Sequence, residues 1–370
     1  MDENKDYGEY FAKLERELSG EKKENSENEH IGETTAQTEV KPRKSSKKVR
    51  AIFARTVFSA AVIAVIAGIV ALMVLIVGNA GSEKKGSVSS VGKSAGVVKE
   101  EPDLFAKADS QTVLMGDDIK SSSAVFIDID ENRICAKRAS DVRCYPASTT
   151  KIMTLLVAVE NIKDFDDTFK MTYNITDPLY EQDATVAGFI SGETITMTDL
   201  LYGTILPSGG DAAVALAVKI SGSEAEFAKL MNKKAAELGL KNTHFTNCTG
   251  LYNKDHYTTA EDLAVILRQA MQDKLCKRVL TAQTYLSSST PQHPDGIDML
   301  STLFKYMYGT EAENATIRGG KTGYTGESGY CIATFGISES GKEYVCVGLN
   351  APSRWPAVYD QINLYKAYAK

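Results

Sequence analysis

The sequence predicts a mixed α/β (α+β) fold, in which helices sandwich one antiparallel sheet and one transmembrane helix precedes them. Three features of the sequence predict it. Strand-like apolar runs lie at both ends of residues 105–370, helix-like periodicity fills the stretch between them, and an uncharged apolar segment covers residues 57–77. Strands at both ends of a domain, with helices between, are typical of one sheet built from the two ends and covered by helices.

The charge balance argues against nucleic acid as a partner. The 370 residues contain 42 Lys and Arg against 48 Asp and Glu, which gives a net charge of −6. Proteins that bind nucleic acids instead carry clustered Lys and Arg side chains that neutralise phosphates. The length fits one large α/β domain with accessory segments.

Residues 57–77 have the length and composition of a membrane-spanning helix. They contain no charged side chain and no proline, and at 1.5 Å per residue they match a hydrocarbon core of about 30 Å. A buried globular helix and a signal peptide are the alternatives. The uncharged run is long for a buried globular helix, and it begins too far from residue 1 for a signal peptide. We predict a transmembrane helix over residues 57–78.

The charges that flank this span predict its orientation. Seven Lys and Arg residues and no acid lie in residues 41–55, whereas the segment after the span holds three lysines and one glutamate. The positive-inside rule therefore predicts a single-pass membrane protein with a cytoplasmic N-terminus. We expect residues 1–56 to be a disordered tail, residues 79–104 a flexible extracellular linker, and residues 105–370 one folded extracellular domain.

The extracellular domain is predicted to open with a hairpin and to close with strands and a helix. The hairpin is SAVFIDIDENRICAKRA, two β-prone runs around the polar turn DEN. The first helix is STTKIMTLLVAVENI, with apolar residues at three-to-four spacing. The later helices are MTDLLYGTIL, DAAVALAVKI, SEAEFAKLMNKKAAELG, TAEDLAVILRQAMQ and PAVYDQINLYKAYAK, and the later strands are GGKTGYT, GYCIATFGI and EYVCVGLN.

Six cysteines in an extracellular domain permit disulfides, but a domain of this size does not need them. Cys135 with Cys144, and Cys331 with Cys346, are geometrically conceivable pairs. Free thiols buried as small hydrophobic side chains are the alternative. No two Cys or His residues fall at metal-ligand spacing, so we predict no metal site.

The first residues that could do chemistry are Ser148 and Lys151 in YPASTTKIMT. Positions i and i+3 of a helix are neighbours, so a hydroxyl and an amine would share one face at the helix N-terminus, where the dipole favours an anion. A lysine serves as a base at neutral pH only if burial or a second cation lowers its pKa from about 10.4. The alternative is an ordinary helix N-cap at Ser148, with Lys151 in solvent.

Two further segments offer partners for this pair. In RGGKTGYTGESGYC, Lys321 and Thr322 lie between glycines on a predicted strand. Glycine in a strand marks a close approach to the backbone, here by a substrate along the sheet edge, and Lys321 would supply the second cation. Ser208 lies in a Pro/Gly loop ahead of a helix in LLYGTILPSGGDAAVALAVKI. A sheet-edge turn and a capped helix start are the alternatives for these two segments.

The order S-x-x-K, then S-x-[N or similar], then K-T-G resembles the motif set of β-lactamases and penicillin-binding proteins. Over roughly residues 120–355 the chain resembles one branch, the D-alanyl-D-alanine carboxypeptidases among the low-molecular-mass penicillin-binding proteins. The supporting stretches are PASTTKIMT, LLYGTILPSGGDAAVALA, MNKKAAELGLKNTHFTNCTGL, HYTTAEDLA and GGKTGYTGESGYC.

This resemblance implies a β-lactamase/penicillin-binding-protein-like fold, with residues 105–370 as the catalytic domain. It also implies a serine-type carboxypeptidase that is anchored in the bacterial cell membrane. Its substrate would be the peptidoglycan stem pentapeptide ending in D-Ala-D-Ala, from which it would remove the terminal D-alanine through an acyl-enzyme. β-Lactams would acylate the same serine. The resemblance implies no metal or organic cofactor.

The resemblance also implies a role for each motif residue. Ser148 would be the nucleophile and Lys151 its base, while Ser208 would relay a proton to the leaving amine and Lys321 would supply electrostatic bias. Thr322 would contact the terminal carboxylate of the substrate, and Arg354 would be a second contact for that carboxylate. The backbone N–H groups of Ser148 and Tyr324 would form the oxyanion hole. Gly323 of the K-T-G motif would also contact the substrate.

One departure from the family pattern lies in the second motif, which is usually S-G-N. Gly210 occupies the position of the asparagine. Loss of one charge-stabilising contact can lower a rate by ~10²–10³, unless water or a neighbour such as Asp211 replaces the amide. A weakly active or non-catalytic wall-binding regulator is therefore an alternative function. A β-lactamase or transpeptidase of the same fold is another, although no E-x-x-x-N segment lies between the second and third motifs.

Overall fold

A computed structural model describes residues 104–370 of the protein. The predicted tail (1–56), the predicted transmembrane helix (57–78) and all but the last residue of the predicted linker (79–104) lie outside the described residues. Within residues 104–370, none of the helices has the length and apolar character needed to cross a membrane.

The described residues form ten strands and nine α-helices. The strands are β1 (Val113–Leu114), β2 (Ser123–Asp128), β3 (Arg133–Arg138), β4 (Thr168–Lys170), β5 (Thr194–Thr196), β6 (Thr284–Leu286), β7 (Asp298–Leu300), β8 (Ala315–Thr325), β9 (Gly329–Ser338) and β10 (Glu343–Ala351). The α-helices are α1 (Lys151–Asn161), α2 (Tyr173–Glu181), α3 (Met197–Ile205), α4 (Gly210–Ser221), α5 (Glu224–Glu237), α6 (Ala260–Gln272), α7 (Lys274–Thr281), α8 (Thr302–Met307) and α9 (Arg354–Tyr368).

The two ends of this region meet in one six-stranded sheet of order β1-β3-β2-β10-β9-β8. The predicted hairpin forms β2 and β3, and β2 pairs antiparallel with β10 from Asp128 opposite Tyr344 to Ser123 opposite Leu349. Strands β8, β9 and β10 form an antiparallel meander. The predicted sheet from both ends is therefore confirmed. The short edge strand β1, which pairs parallel with β3, was not predicted.

Side chains that alternate across β2 supply both faces of the sheet, as the period of a strand requires. Val125 and Ile127 join a cluster of buried side chains from α1, α3, α4 and α6 on one face. Phe126 points the other way, into a cluster that includes Tyr365 of α9, and the two rings meet edge to face at 5.0 Å. The prediction that helices sandwich the sheet is confirmed.

All six cysteines are free thiols, and Cys144 is the one that is partly exposed. Cys331 and Cys346 pack into clusters on opposite faces of the sheet, so the pairing of these two residues is excluded by the strand geometry. The Cys135–Cys144 pair is not formed either. The buried thiols therefore act as small core side chains.

Asp360 ties α9 to the segment that leads into β2. Its carboxylate is 2% exposed, and it accepts hydrogen bonds from the backbone N–H of Lys120 at 2.9 Å, the N–H of Ser121 at 2.6 Å and the Ser121 hydroxyl at 2.7 Å. These bonds fix the position of α9, whose first residue is Arg354.

Removal of this carboxylate is expected to destabilise the domain. Asp360→Ala leaves buried donors unpaired, so we expect the free energy of unfolding to fall by about 3 kcal/mol. Urea denaturation measures it through the fluorescence of Trp355, the only tryptophan of the sequence. Asn363→Ala, on an exposed position of the same helix, is the control. Equal stability of Asp360→Ala and the control would contradict this account.

Candidate active site

Ser148 lies in a tight turn ahead of the first α-helix. Ala147–Thr150 form a 3-10 helix and α1 begins at Lys151, so the prediction that Ser148 starts or caps the α-helix is wrong. The backbone of Ala147 has a φ of 48°, in the left-handed region. The Thr149 hydroxyl donates to the Pro146 carbonyl at 2.6 Å and holds the turn closed. Helical periodicity continues through this turn, which is why the sequence did not distinguish it from α1.

Lys151 is buried directly behind this serine. Its side chain is 2% exposed, and its Nζ donates to Ser148 Oγ at 3.0 Å and to the Thr249 carbonyl at 2.7 Å. The alternative that Lys151 points into solvent is therefore wrong. Burial lowers the pKa of Lys151 to about 8, although Cys248, Asp211 and Glu224 oppose this shift. A hydroxyl thus lies within hydrogen-bond distance of an amine that gives up its proton near neutral pH.

Two glycines allow neighbouring segments to pack against the serine turn. Gly250 has a φ of 83°, and a Cβ there would lie 1.9 Å from the Ala147 carbonyl oxygen. On the other side, a Cβ at Gly323 of β8 would lie 2.7 Å from the Ser148 backbone nitrogen. The sequence predicted a close approach at the K-T-G glycine by a substrate; the structure shows that the serine turn itself makes this approach.

Lys321 extends from β8 into the same buried region. It is 1% exposed, and its Nζ donates to the Thr322 carbonyl at 2.9 Å. Burial, together with the neighbouring Lys151 amine, lowers the pKa of Lys321 well below its usual range. Among the protein groups alone, the carboxylates of Asp211 and Glu224 favour the proton on Lys151. The hypothesis that a charged Lys321 keeps Lys151 neutral stays a prediction, and an anion beside Lys321 would favour that arrangement.

The predicted substrate-contacting residues surround one cavity of about 230 Å³. Lys151 contacts Ser148 from below, and Lys321 precedes Thr322 on β8. The structure therefore brings every sequence-predicted site residue to one place. Those that line the cavity are Ser148, Ser208, Thr322, Gly323, Tyr324 and Arg354.

Ser208 reaches the cavity from a strained turn before α4. Its φ is 67° and its side chain is 7% exposed. The turn is fixed by backbone bonds, from Gly209 N–H to the Gly203 carbonyl at 2.9 Å and from Gly210 N–H to the Thr185 carbonyl at 2.7 Å. Such a backbone conformation persists only where its surroundings impose it. The turn places Ser208 in the lining of the same cavity as Thr322.

Position 210, where the family usually has asparagine, faces occupied space. A Cβ at Gly210 would lie 3.2 Å from both the Leu179 side chain and the Thr185 carbonyl oxygen. The expectation that Asp211 could supply the missing contact is wrong. Its carboxylate accepts bonds from the backbone N–H groups of Ala187 at 2.7 Å and of Gly188 and Phe189 at 3.1 Å. Asp211 therefore fixes the loop beside Thr185.

Thr322 and Arg354, which also line the cavity, offer donors for an anion. The Thr322 hydroxyl pairs with Thr302 at 2.8 Å. The Arg354 guanidinium lies over the Tyr306 ring, 4.4 Å from its centroid, and its buried Nε has no hydrogen-bond partner among the described residues. A buried unpaired N–H is costly unless a ligand satisfies it. Thr302 and Tyr306, both on α8, were missed because they belong to no motif.

The comparisons with known proteins agree with this geometry. Residues 107–353 match the family model for D-alanyl-D-alanine carboxypeptidase, peptidase S11. DacF of Bacillus subtilis, named a D-alanyl-D-alanine carboxypeptidase, is 38% identical over 237 residues, 62% of this chain and 57% of that protein. The D-alanyl-D-alanine carboxypeptidase of Streptomyces sp. strain K15 is 35% identical over 217 residues, 56% of this chain and 73% of that protein.

Solved structures show the same fold. The Streptomyces K15 DD-transpeptidase superposes with a TM-score of 0.62 at 27% identity, over 68% of this chain and 98% of that one. Penicillin binding protein 5 from Haemophilus influenzae gives 0.61 at 25% identity, over 68% of this chain and 72% of that one. Since the family model covers residues 107–353, well over half of the sequence, this chain belongs to the D-alanyl-D-alanine carboxypeptidase family of low-molecular-mass penicillin-binding proteins.

Proposed function

We propose that this protein is a membrane-anchored serine carboxypeptidase that removes the terminal D-alanine from peptidoglycan stem pentapeptides. The observation that carries the proposal is the 3.0 Å hydrogen bond from the buried Lys151 amine to the Ser148 hydroxyl at the cavity. Membership of a family named for this activity supports the choice of substrate.

The first chemical step is acylation of Ser148. Its oxygen attacks the carbonyl carbon of the penultimate D-alanine, and its proton passes to the neutral Lys151 amine. The backbone N–H groups of Ser148 and Tyr324 stabilise the oxyanion. The C–N bond then breaks, Ser208 relays a proton to the leaving D-alanine amine, and water hydrolyses the ester.

The terminal carboxylate of the substrate binds between Thr322 and Arg354. Its negative charge raises the pKa of the nearby Lys321 and favours an ammonium there. That ammonium in turn disfavours a proton on Lys151, since two like charges in one buried site repel each other. Substrate binding therefore produces the neutral base that attack by Ser148 requires.

The proposed location is the outer face of the bacterial cell membrane. The apolar run at 57–77 and the basic residues before it support a single span with a cytoplasmic tail. This orientation gives the catalytic domain access to the cell wall. Protease digestion of intact cells that removes the domain but spares the tail would support it; protection of the domain would contradict it.

Transpeptidation is a second candidate reaction of the same acyl-enzyme. The Streptomyces K15 relative is called a D-alanyl-D-alanine carboxypeptidase and also a DD-transpeptidase. The two reactions differ in whether water or an amine attacks the acyl group. Product analysis of a pentapeptide with an added amine acceptor separates them, and free tetrapeptide as the main product favours the carboxypeptidase.

Replacement of the nucleophile tests the site assignment. Ser148→Ala is expected to abolish labelling by a fluorescent penicillin, because no oxygen remains to form the acyl-enzyme. Labelling is read after denaturing electrophoresis of the full-length protein. Ser289→Ala, at an exposed serine, is the matched control and should label normally. Persistent labelling of Ser148→Ala would show that another residue is acylated.

The pH dependence of acylation tests the role of Lys151. The burial that lowers its pKa to about 8 leaves the amine protonated below that pH. A protonated amine cannot take the serine proton, so the rate should rise about tenfold per pH unit below pH 8 and level off above it. Stopped-flow acylation at low penicillin concentration measures this profile as a second-order rate constant, which reports the protonation of Lys151 in the free enzyme. A profile that falls with rising pH, or one with a midpoint near the ordinary lysine value, would contradict a neutral Lys151 base.

Arg354 is expected to contribute to binding of the substrate carboxylate. Arg354→Ala removes a charged hydrogen bond, and we expect KM for a D-Ala-D-Ala peptide to rise about 10–100-fold. A peptide with an amidated C-terminus should be hydrolysed equally by variant and wild type. Arg318→Ala, at an exposed arginine of β8, is the control. An unchanged KM in Arg354→Ala would remove this residue from the site.

A further inference from the structure

Glu224 lies behind the Ser148–Lys151 pair, outside the 230 Å³ cavity. It is the first residue of α5. Its Oε1 accepts two hydrogen bonds from Cys248, one from the backbone N–H at 3.0 Å and one from the thiol at 3.1 Å. One carboxylate oxygen therefore holds both polar hydrogens of a buried residue.

The residue after this cysteine carries the acceptor for the lysine amine. The Thr249 carbonyl receives Lys151 Nζ at 2.7 Å. The Cys248 carbonyl accepts from the Thr154 hydroxyl of α1 at 2.7 Å, and Asn247 Oδ1 accepts from the Gly250 N–H at 2.7 Å. The loop is thus fixed on both sides of Thr249, and Glu224 provides its anchor to α5.

The charge of Glu224 also acts on the lysine. The titratable groups that influence Lys151 are the carboxylates of Glu224 and Asp211, the Cys248 thiol and the Lys321 amine. Asp211 is fully buried, and burial raises the pKa of its carboxyl. Glu224 instead lines a second cavity, of about 830 Å³, between α2, α4 and the 246–253 loop. Glu224 is therefore not among the residues that line the cavity containing Ser148.

We propose that Glu224 is a positioning residue for Lys151: through Cys248 it fixes the Thr249 carbonyl, and its negative charge stabilises the ammonium that forms when Lys151 takes the serine proton. This inference rests on the proposed function, in which Lys151 is the base. In the acylation step one O–H bond of Ser148 breaks and one N–H bond of Lys151 forms. The new positive charge appears in a buried site, where a nearby carboxylate lowers its free energy.

Two variants separate the charge of Glu224 from its hydrogen bonds. Glu224→Gln keeps an oxygen that accepts from Cys248 and removes only the charge. We expect the midpoint of the acylation pH profile to move down by about half a unit, because the ammonium form of Lys151 loses a favourable partner. Glu224→Ala also releases the loop, so its plateau rate above the midpoint should fall by about tenfold or more. Glu226→Gln, exposed in the same helical turn and paired with Lys229, is the matched control and should leave the profile unchanged.

The outcomes distinguish this inference from the proposed function. The full-length protein is labelled with penicillin across the pH range, and its melting temperature is recorded at each pH. A wild type that is not acylated overturns the proposed function and this inference with it. A wild type that is acylated with a midpoint near pH 8, together with a Glu224→Gln variant of unchanged midpoint, overturns this inference alone. A loss of melting temperature in both Glu224 variants without a shift of midpoint shows a merely structural role and also overturns it.

Discussion

The site depends on a lysine amine held inside the protein. An isolated ammonium in such a place is strongly unfavourable, and burial is what brings the pKa of Lys151 to about 8. The amine remains there because two oxygens accept from it, the Ser148 hydroxyl and the Thr249 carbonyl. One of these acceptors is the proposed nucleophile. The requirement that a buried polar group be hydrogen-bonded therefore also places the hydroxyl where it can be deprotonated.

Close backbone packing around the serine turn makes this burial possible. A side chain at Gly250 or Gly323 would overlap the backbone of Ala147 or Ser148. Strand β8 is held against the turn from one side and the 246–250 loop from the other, and together they exclude solvent from Lys151. The central sheet positions β8, because β8 pairs with β9 and β9 with β10, which in turn joins the N-terminal hairpin. The architecture and the electrostatics of the site are thus coupled.

In the proposed mechanism, the substrate helps to set which of the two buried amines, Lys151 or Lys321, carries a proton. The protein groups alone favour the proton on Lys151, where Asp211 and Glu224 act. A carboxylate bound beside Lys321 favours the opposite arrangement. Glycine at position 210 suits its surroundings, because the Leu179 side chain and the Thr185 carbonyl oxygen occupy the space that a larger side chain would enter. In the proposed mechanism, deprotonation of Ser148 relies on the Lys151 amine rather than on an amide at position 210.

The sequence by itself determined the parts of this protein that depend on local spacing. The alternation in SAVFID placed Val125 and Phe126 on opposite faces of a strand, and the i, i+3 spacing placed Ser148 beside Lys151 even though the turn is a 3-10 helix. The three motifs, in their order, indicated the residues that meet at the cavity. Local periodicity sets the direction of side chains within one element, and that information is present in a single sequence.

Only the tertiary structure decided which distant groups complete the site. The Thr249 carbonyl that holds Lys151 is 98 residues away in the chain, and the contact of Glu224 with Cys248 belongs to no motif. The hydrogen bond between Thr302 and Thr322 also belongs to no motif, and no motif indicates that Arg354 Nε is unpaired among the described residues. A backbone carbonyl looks the same at every position of a sequence. Its value as an acceptor, and the pKa of the amine it meets, arise only when packing removes water from both.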